Sequence, residues 1–345
     1  MKKKLLGLFV GLLICTACTS QDYDDDDSFI TQRITDNQDS HQGFTDLVFF
    51  DNQFFLVFRE SSSHAYGTDG IVKLYSKGSD DKWTFVREFK VDGFDLRDPK
   101  FSIHENNLML YIHGTTFEGK KVVGFTDYNS SYSVDKGWNE LQDVKLDNLK
   151  SGAEKLKGNE AWPWRVTWYK NVAYSVGYNY SGIFDLYNSD NGLFFKSTNS
   201  FSNIPKMPTE ATLRVNNEGQ FYILARRNYG NAIIGRSNIS LTDWDWFSEI
   251  PILNFGGPNF LLTGNNNMLI SGRENDQLVL GEYDMAEKTY NRLLTLKSGG
   301  DCGYAGMVRK DNFLWISYYS SHECAKGSSI YIAKINLDKL KGYKE

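Results

Sequence analysis

The sequence predicts an all-β protein, and within that class a six-bladed β-propeller of four-stranded antiparallel blades. The 345 residues include 30 Gly, 23 Phe, 20 Tyr and 8 Trp but only 6 Pro, a composition that excludes disordered and collagen-like chains. Aromatic and β-branched runs of roughly five to seven residues alternate with turns rich in Asn, Gly, Asp and Lys, which is typical of short strands. No long segment has a helical period.

A hairpin of two such strands recurs six times. The hairpins begin at Asp46, Asp98, Glu160, Glu210, Asn259 and Asp301, and a further strand-like run follows each of them. Repeats at roughly this spacing match the blades of a propeller. The chain stops soon after the third strand of the last unit, so residues 29–35 are predicted to supply its outer strand and close the ring. A pair of β-sandwiches is the alternative, and it explains the repeated hairpins less well.

The first 28 residues predict export and anchoring. Three lysines precede an apolar run that is too short to span a membrane, a pattern typical of a signal peptide over residues 1–17. Residues 14–18 resemble a lipobox, which would be cleaved and acylated at Cys18; secretion without a lipid is the alternative. The acidic residues within 18–28 are expected to form a solvated tether, and they resemble the export signal of Bacteroidota surface lipoproteins.

We therefore expect an exported lipoprotein at the outer membrane or cell surface, with the periplasmic face as the alternative location. Residues 29–345 are expected to form one propeller domain that meets the membrane only through its lipid. The net charge is −5, and no basic patch indicates a nucleic-acid partner. A monomer without a cofactor is expected. In an oxidising compartment, Cys302 and Cys324 are candidates for a disulfide.

Polar residues are predicted to gather at one mouth of the ring. In a propeller the first strands line the axis, and the start of each first strand lies beside the end of the antiparallel second strand. Such a concave, charged and aromatic face is a typical ligand site, although salt bridges between blades account for part of it. The candidates are Arg59, Glu60, His64, Asp69, Arg97, Asp98, Glu160, Trp162, Arg165, Glu210, Arg226, Arg273, Asp301, Tyr304, Tyr319 and His322.

Several short segments resemble the sialidase superfamily of six-bladed propellers. Residues 54–60 and 69–76 resemble its first blade, with a degenerate Asp-box turn from residue 76 to 83. Residues 210–226 resemble the blade that carries the catalytic glutamate and a substrate-binding arginine, and residues 303–308 resemble the blade with the tyrosine nucleophile. In one departure from the family, Phe44 stands where sialidases carry an arginine before Ile-Pro.

The resemblance implies that Tyr304 is the nucleophile and Glu210 its base. A tyrosine hydroxyl with a free pKa of about 10 needs a carboxylate to take its proton. A tyrosine nucleophile also suits an anionic sugar, which would repel a carboxylate. The expected proton donors are Asp69 or Glu60, with Asp98 and Asp301 as alternatives. The expected carboxylate clamp is Arg59, Arg97, Arg226 and Arg273, and Trp162 is expected to stack on a sugar ring.

The sequence thus predicts a sialidase-like glycoside hydrolase that acts on acidic glycans at the cell surface. One alternative is a polysaccharide lyase, in which an arginine neutralises a uronate while a histidine or tyrosine removes a proton. A second is a non-catalytic glycan-binding lipoprotein, because propellers host many functions. His64, His113 and His322 lack the spacing of a metal motif, so no metal is expected.

Overall fold

The computed structural model describes residues 21–22, 27–36, 39–147, 157–264, 267–324 and 326–344. The predicted signal peptide and Cys18 lie outside these residues, as does most of the predicted tether. Within the described part of the chain, no helix is long and apolar enough to cross a membrane. The predicted all-β class is confirmed, because these residues form strands and a short 3-10 turn at Leu337–Lys339, with no α-helix among them.

The strands fall into six units in chain order, which we call sheets I to VI. Two N-terminal strands, β1 (Gln21–Asp22) and β2 (Phe29–Arg33), come first. Sheet I contains β3 (His41–Phe50), β4 (Gln53–Ser61), β5 (Ile71–Lys77) and β6 (Trp83–Phe89). Sheet II contains β7 (Asp95–His104), β8 (Asn107–Glu118), β9 (Lys121–Ser133), β10 (Gly137–Trp138), β11 (Gln142–Asp147) and β12 (Lys157–Gly158).

The remaining units follow the same plan. Sheet III contains β13 (Trp162–Pro163), β14 (Thr167–Tyr169), β15 (Val172–Tyr178), β16 (Phe184–Ser189) and β17 (Phe194–Ser200). Sheet IV contains β18 (Pro208–Val215), β19 (Phe221–Arg227), β20 (Gly230–Ser237) and β21 (Trp244–Leu253). Sheet V contains β22 (Gly256–Leu262), β23 (Asn267–Glu274), β24 (Gln277–Asp284) and β25 (Thr289–Leu296). Sheet VI contains β26 (Cys302–Lys310), β27 (Phe313–Ser320) and β28 (Ser329–Asn336).

The first strands of neighbouring sheets pack against one another. Contacts link β3 to β7, β7 to β14, β14 to β18, β18 to β22, β22 to β26, and β26 back to β3. The N-terminal strand β2 pairs antiparallel with β28, with Thr31 opposite Ala333. Residues 29–33 are therefore the outer neighbour of the last sheet, in the place that the sequence assigned to them.

Two features differ from six separate four-stranded units. Strand β11 pairs antiparallel with β9 and parallel with β17, so sheets II and III form one continuous sheet. The first strand of sheet III is also broken between β13 and β14. Pro163 lies at this break, and a proline has no N–H to donate to a strand ladder.

Apolar side chains fill the spaces between adjacent sheets. Leu74 and Leu96 belong to one apolar cluster formed by sheets I and II, and Leu280 and Ile316 belong to another formed by sheets V and VI. All four are fully buried, and burial of an aliphatic side chain of this size contributes about 1.5–3 kcal/mol. The outward strands β6 and β25 consist of exposed and half-buried residues, apart from one buried residue at the end of each. The apolar packing therefore holds the first strands and their starts in fixed positions.

Candidate active site

Five of the first strands carry a β-bulge close to their start. The pairing register shifts around residues 44–45, 98–99, 209–210, 257–258 and 304–305. A bulge inserts an extra residue and re-aims a side chain out of the regular alternation, and bulges are common next to active sites. The side chains of Phe44, Asp98, Glu210 and Tyr304 are all presented from these bulges.

Backbone strain accompanies the bulges. The φ angle is positive at Phe44 (60°), Asp98 (48°) and Tyr304 (54°). A left-handed conformation costs a residue other than glycine about 1–3 kcal/mol, and such residues concentrate at functional sites. The equivalent position in sheet V is Gly257 (φ 59°), where a Cβ atom would lie 2.8 Å from the ring of Tyr304. Gly257 therefore leaves the room that the Tyr304 side chain occupies.

Tyr304 and Glu210 form a direct hydrogen-bonded pair. The Tyr304 hydroxyl donates to Glu210 Oε1 over 2.6 Å, and Arg226 Nη1 donates to the same oxygen over 2.8 Å. The backbone N–H of Gly257 donates to Glu210 Oε2 over 2.6 Å. Both oxygens of a buried carboxylate are thus held, with the phenol at one of them.

The electrostatics of this pair separate a charged base from a neutral phenol. Burial raises the pKa of Glu210, but Arg226, Tyr304 and the Gly257 N–H outweigh burial and hold that pKa below its usual value. Burial, followed by the charge of Glu210, raises the pKa of Tyr304 well above that of a free tyrosine. At neutral pH Glu210 is therefore ionised, and it accepts a hydrogen bond from the protonated hydroxyl of Tyr304.

Three arginines act electrostatically on Tyr304: Arg97, Arg226 and Arg273. Arg226 Nε also donates a hydrogen bond to Asn254 Oδ1 over 2.8 Å, which helps to orient the guanidinium. Arg273 Nη1 donates to the Cys302 carbonyl over 3.2 Å. These guanidiniums come from the ends of second strands in sheets IV and V and from the start of sheet II, so they surround the phenol from different sides.

Arg59 occupies a different position from the other predicted arginines. Its side chain is fully buried, and its Nε donates to Asp95 Oδ1 over 2.7 Å. Arg97 Nη2 donates to the other oxygen of Asp95, also over 2.7 Å. Asp95 therefore bridges the two guanidiniums, and Arg59 helps to position Arg97 by holding Asp95.

The ring of Phe44, which stands where the resemblance to sialidases places an arginine, is a shared contact surface. The ring centroid lies 5.1 Å from that of Tyr304 and 4.9 Å from that of His64. The guanidinium carbon of Arg97 lies 5.4 Å from the Phe44 centroid and that of Arg59 lies 5.6 Å from it, within the range of a cation–π attraction. A bulky apolar ring thus separates the Arg59–Asp95 pair from Tyr304.

The predicted proton donors differ sharply in their surroundings. Asp69 is exposed on the loop after β4. Glu60 accepts from Lys73 and from Gln42, so both of its oxygens are in use. Burial, followed by the charge of Glu210, raises the pKa of Asp98 despite the opposing charges of Lys100 and Arg97. Asp98 Oδ1 has no partner among the described residues, and Asp98 is the candidate whose surroundings favour a bound proton.

Several other candidates lie in the wall around the mouth. Arg165 makes two hydrogen bonds to Asp46, of 2.8 and 3.0 Å, and both side chains are buried. Trp162 is buried and stacks on His113, with centroids 3.9 Å apart. His322 Nδ1 lies 2.8 Å from Ser320 Oγ, and Glu160 is half-buried. These side chains shape the wall, and the structure does not bring them to the Tyr304 hydroxyl.

His64, Asp301 and Tyr319 form a second group beside Phe44, and Arg97 Nη2 donates to the carbonyl of His64 over 3.1 Å. The Tyr319 hydroxyl donates to Asp301 Oδ1 over 2.8 Å, and His64 Nδ1 lies 2.8 Å from Asp301 Oδ2. Burial raises the pKa of Asp301, but hydrogen bonds from His41 and His64 outweigh it and place that pKa well below its usual value. Asp301 is therefore an anion, which argues against its role as a proton donor.

The structure does not join the two candidate cysteines, Cys302 and Cys324, in a disulfide. Cys302 lies opposite Ser320 on β27, and Ser320 lies opposite Ser329 on β28. The Cys324 sulfur lies 3.3 Å from the Ser329 hydroxyl. The two cysteines thus lie on opposite sides of β27, and strands at about 4.8 Å spacing place them beyond the reach of an S–S bond.

Three residues of the site were not among the predicted ones: His41, Asp95 and Gly257. Each lies at the start of a first strand, ahead of or within a bulge. A usable signal exists for Asp95, because Asp95 and Arg97 are two residues apart and so share one face of a strand.

The chain has a sialidase-like propeller fold, and this similarity comes from solved structures. A scan of protein-family models and a search of curated proteins both found no match. A protein of unknown function from Dyadobacter fermentans has a TM-score of 0.76 at 15% identity, over 90% of this chain and 98% of its own.

Two sialidases are similar at lower scores. The Trypanosoma rangeli sialidase in complex with sialic acid has a TM-score of 0.64 at 13% identity, over 89% of this chain and 55% of its own. The NanB sialidase of Streptococcus pneumoniae has a TM-score of 0.62 at 10% identity, over 94% and 71%. The chain spans about half the length of the trypanosomal enzyme. At these identities the likeness shows the fold alone, so function has to rest on the site.

Proposed function

We propose that this protein is a retaining, sialidase-like glycoside hydrolase that acts on acidic glycans. The observation that carries the proposal is the 2.6 Å hydrogen bond from the Tyr304 hydroxyl to Glu210, with arginines around it. A tyrosine of ordinary pKa needs about 4 kcal/mol to ionise at pH 7. A base already in contact with the hydroxyl avoids that cost, because the proton moves as the new bond forms.

In the first step, the Tyr304 oxygen attacks the anomeric carbon and its proton passes to Glu210. The glycosidic C–O bond breaks, and Asp98 donates a proton to the departing oxygen. Asp98 fits this role because burial favours its protonated form. The product is a glycosyl–tyrosine intermediate, and the leaving group departs as an alcohol.

In the second step, ionised Asp98 takes a proton from water, and the water oxygen attacks the anomeric carbon. The bond to Tyr304 breaks, and the phenolate recovers its proton from Glu210. Every group returns to its starting protonation state, and two displacements at one carbon retain its configuration.

The acidic substrate class rests on the three arginines around Tyr304. Arg97, Arg226 and Arg273 lie around Tyr304, and Arg97 Nε has no partner among the described residues. Guanidiniums bind carboxylates through short, charge-assisted and often bidentate hydrogen bonds. A substrate carboxylate would also compensate the positive charge that this arrangement leaves around a neutral tyrosine.

We propose further that the six sheets are blades of one closed propeller, spanning residues 29–345, with β2 as the outer strand of the last blade. The cyclic contacts of the first strands and the pairing of β2 with β28 support this arrangement. Export as a lipoprotein acylated at Cys18 would place the mouth among extracellular or periplasmic glycans. The lipobox-like residues 14–18 support that location.

The test is a hydrolysis screen with natural and fluorogenic acidic glycans, read by sugar release and by ultraviolet absorbance. Release of a saturated acidic sugar, lost in Tyr304→Phe and retained in Tyr318→Phe, is the expected result. Tyr318 is a matched control, because its buried hydroxyl donates to the Lys297 carbonyl instead of Glu210. An unsaturated, ultraviolet-absorbing product would assign a lyase, and binding without any product would assign a glycan-binding protein.

A further inference from the structure

We propose that His41, His64 and Asp301 form a binding site for a divalent transition metal, with Zn²⁺ as the preferred ion. Their ligand atoms lie within 4.8 Å of one another, and no other group of this kind is found among the residues that the structure describes. Two imidazoles and a carboxylate are a donor set that suits zinc and its neighbours in the first transition row. The proposal does not depend on the proposed glycosidase activity.

The geometry directs both imidazoles at a single oxygen. His41 Nε2 lies 2.7 Å and His64 Nδ1 lies 2.8 Å from Asp301 Oδ2. The two imidazole rings are 5.2 Å apart and inclined at 74°. Two ring nitrogens and one carboxylate oxygen therefore converge on a common point, and small shifts would bring all three to bonding distances of about 2.0–2.2 Å.

The surroundings hold the carboxylate in the orientation that a single metal bond requires. Asp301 Oδ1 accepts the Tyr319 hydroxyl and lies 3.8 Å from Arg273 Nη1. Oδ2 is thereby left for the histidines. Hydrogen bonds of this kind to a ligand's second oxygen orient metal ligands and affect affinity by about 10–100-fold.

The surroundings of His41 also suit a metal ligand, because a ligating imidazole binds the ion through one ring nitrogen and keeps its proton on the other. His41 Nδ1 has no partner among the described residues, so it can carry the proton when Nε2 binds a metal.

The site lies at the mouth and is open on one side. The His64 side chain is 44% exposed and that of Asp301 is 31% exposed, whereas His41 is buried. Three protein ligands with an open side leave positions for water or for an oxygen of a bound molecule. Because His64 and Tyr304 both contact the ring of Phe44, that oxygen would belong to a ligand in the same mouth, such as a sugar hydroxyl or carboxylate.

The experiment is a calorimetric titration of the full-length protein, stripped of metal and carrying no polyhistidine tag, with Zn²⁺. One equivalent is expected to bind. His64→Ala removes a ligand and is expected to weaken the affinity for Zn²⁺ by at least about 10–100-fold. That range is typical of mutating residues that only hydrogen-bond to a metal ligand. His322→Ala is the matched control, because His322 lies at the same mouth but contacts Ser320 instead. A second readout is the visible spectrum of bound Co²⁺, which His64→Ala should abolish.

Tyr319→Phe keeps all three ligands and removes only the hydroxyl on Asp301, so it tests the site without removing a ligand. It is expected to weaken Zn²⁺ binding by about tenfold or more, whereas Tyr318→Phe should leave it unchanged. Absence of binding to the parent protein would overturn the proposal, as would equal affinities for the parent and His64→Ala. Zinc binding without glycan turnover would support this site and refute the proposed function. Glycan turnover without zinc binding would support the proposed function and refute this site.

Discussion

Two arginine–carboxylate pairs near the axis of this protein use the same chemical groups in different ways. Arg165 and Asp46 join through two parallel hydrogen bonds, and Asp46 also accepts the backbone N–H of Phe101. Arg226 and Glu210 join through one hydrogen bond, and Glu210 holds Tyr304 at the same oxygen. Both pairs are largely buried, with side-chain exposures of 6% and 1% in the first and 16% and 6% in the second.

The difference lies in the backbone beneath the carboxylates. Asp46 stands just after a bulge, where its strand has resumed regular pairing opposite Val57, while Glu210 stands within a bulge. Both oxygens of Asp46 already accept hydrogen bonds from Arg165, and one also accepts the backbone N–H of Phe101. The Asp46 pair therefore has a structural role and joins sheets I and III. Glu210 instead accepts a hydrogen bond from the Tyr304 hydroxyl and only one from Arg226. Residue type alone would not separate the two.

The largest effect is expected from Glu210→Gln. This change removes the base while keeping a hydrogen-bond acceptor for Tyr304, so kcat should fall by about 10²–10⁴-fold per folded molecule. Steady-state kinetics on an acidic glycan would measure the loss. Glu249→Gln is the matched control, because Glu249 pairs with Arg227 at the surface and is 44% exposed. Equal losses in both variants would contradict the distinction between the pairs.

Arg165→Met should act mainly on stability. It leaves Asp46 buried without its guanidinium, and loss of one partner of a buried ion pair typically costs about 3–5 kcal/mol in the free energy of unfolding. Activity per folded molecule should persist. Denaturant unfolding monitored by tryptophan fluorescence would measure the cost. A variant with unchanged stability and no activity would show instead that the Arg165 pair takes part in the chemistry.

Arg273→Lys should weaken substrate binding. A lysine keeps the charge but loses the planar fork that binds a carboxylate at two points. A hydrogen bond to a charged group is worth about 1.5–3 kcal/mol, so KM should rise by about 10- to 100-fold. Arg236→Lys is the control, because Arg236 pairs with Asp245 on the outer surface. An unchanged KM would exclude Arg273 from the carboxylate site.

The smallest effect is expected from Asp98→Asn, in the pH dependence of stability. Burial, followed by the charge of Glu210, raises the pKa of Asp98 in the folded state. The folded protein therefore binds this proton more tightly than the unfolded chain does, and the resulting stabilisation is present at low pH and lost as pH rises through the folded pKa. Melting temperatures at pH 4 and pH 7 should show the variant gaining on the parent as pH rises. A difference independent of pH would contradict the assigned environment of Asp98.

The sequence was sufficient for the strand repeat and for the Tyr304–Glu210 pair, but for separate reasons. Aromatic and β-branched runs bounded by turn residues identify strands, and such runs occur in all six units. Tyr304 and Glu210 lie 94 positions apart, and only a resemblance to a family could connect them. No periodicity within the chain relates these two residues.

The bulges explain most of what the sequence did not reveal. A bulge interrupts the alternation on which strand prediction relies, so the first hairpin seemed to begin at Asp46 and the second at Asp98. The strands begin earlier, at His41 and Asp95. His41 and Asp95, which lie ahead of the bulges, were therefore left out of the candidate set. Asp69 differs from these residues, because its loop carries it into solvent and sequence spacing does not determine the path of a loop.

The most direct test of the account is to trap the glycosyl–tyrosine intermediate. A fluorinated acidic glycosyl fluoride would slow the second step, and peptide mapping by mass spectrometry would locate the adduct. One equivalent of label is expected on Tyr304 in the parent protein and none in Tyr304→Phe. Label on another residue, or full turnover of an acidic glycan by Tyr304→Phe, would contradict the assignment of Tyr304 as the nucleophile.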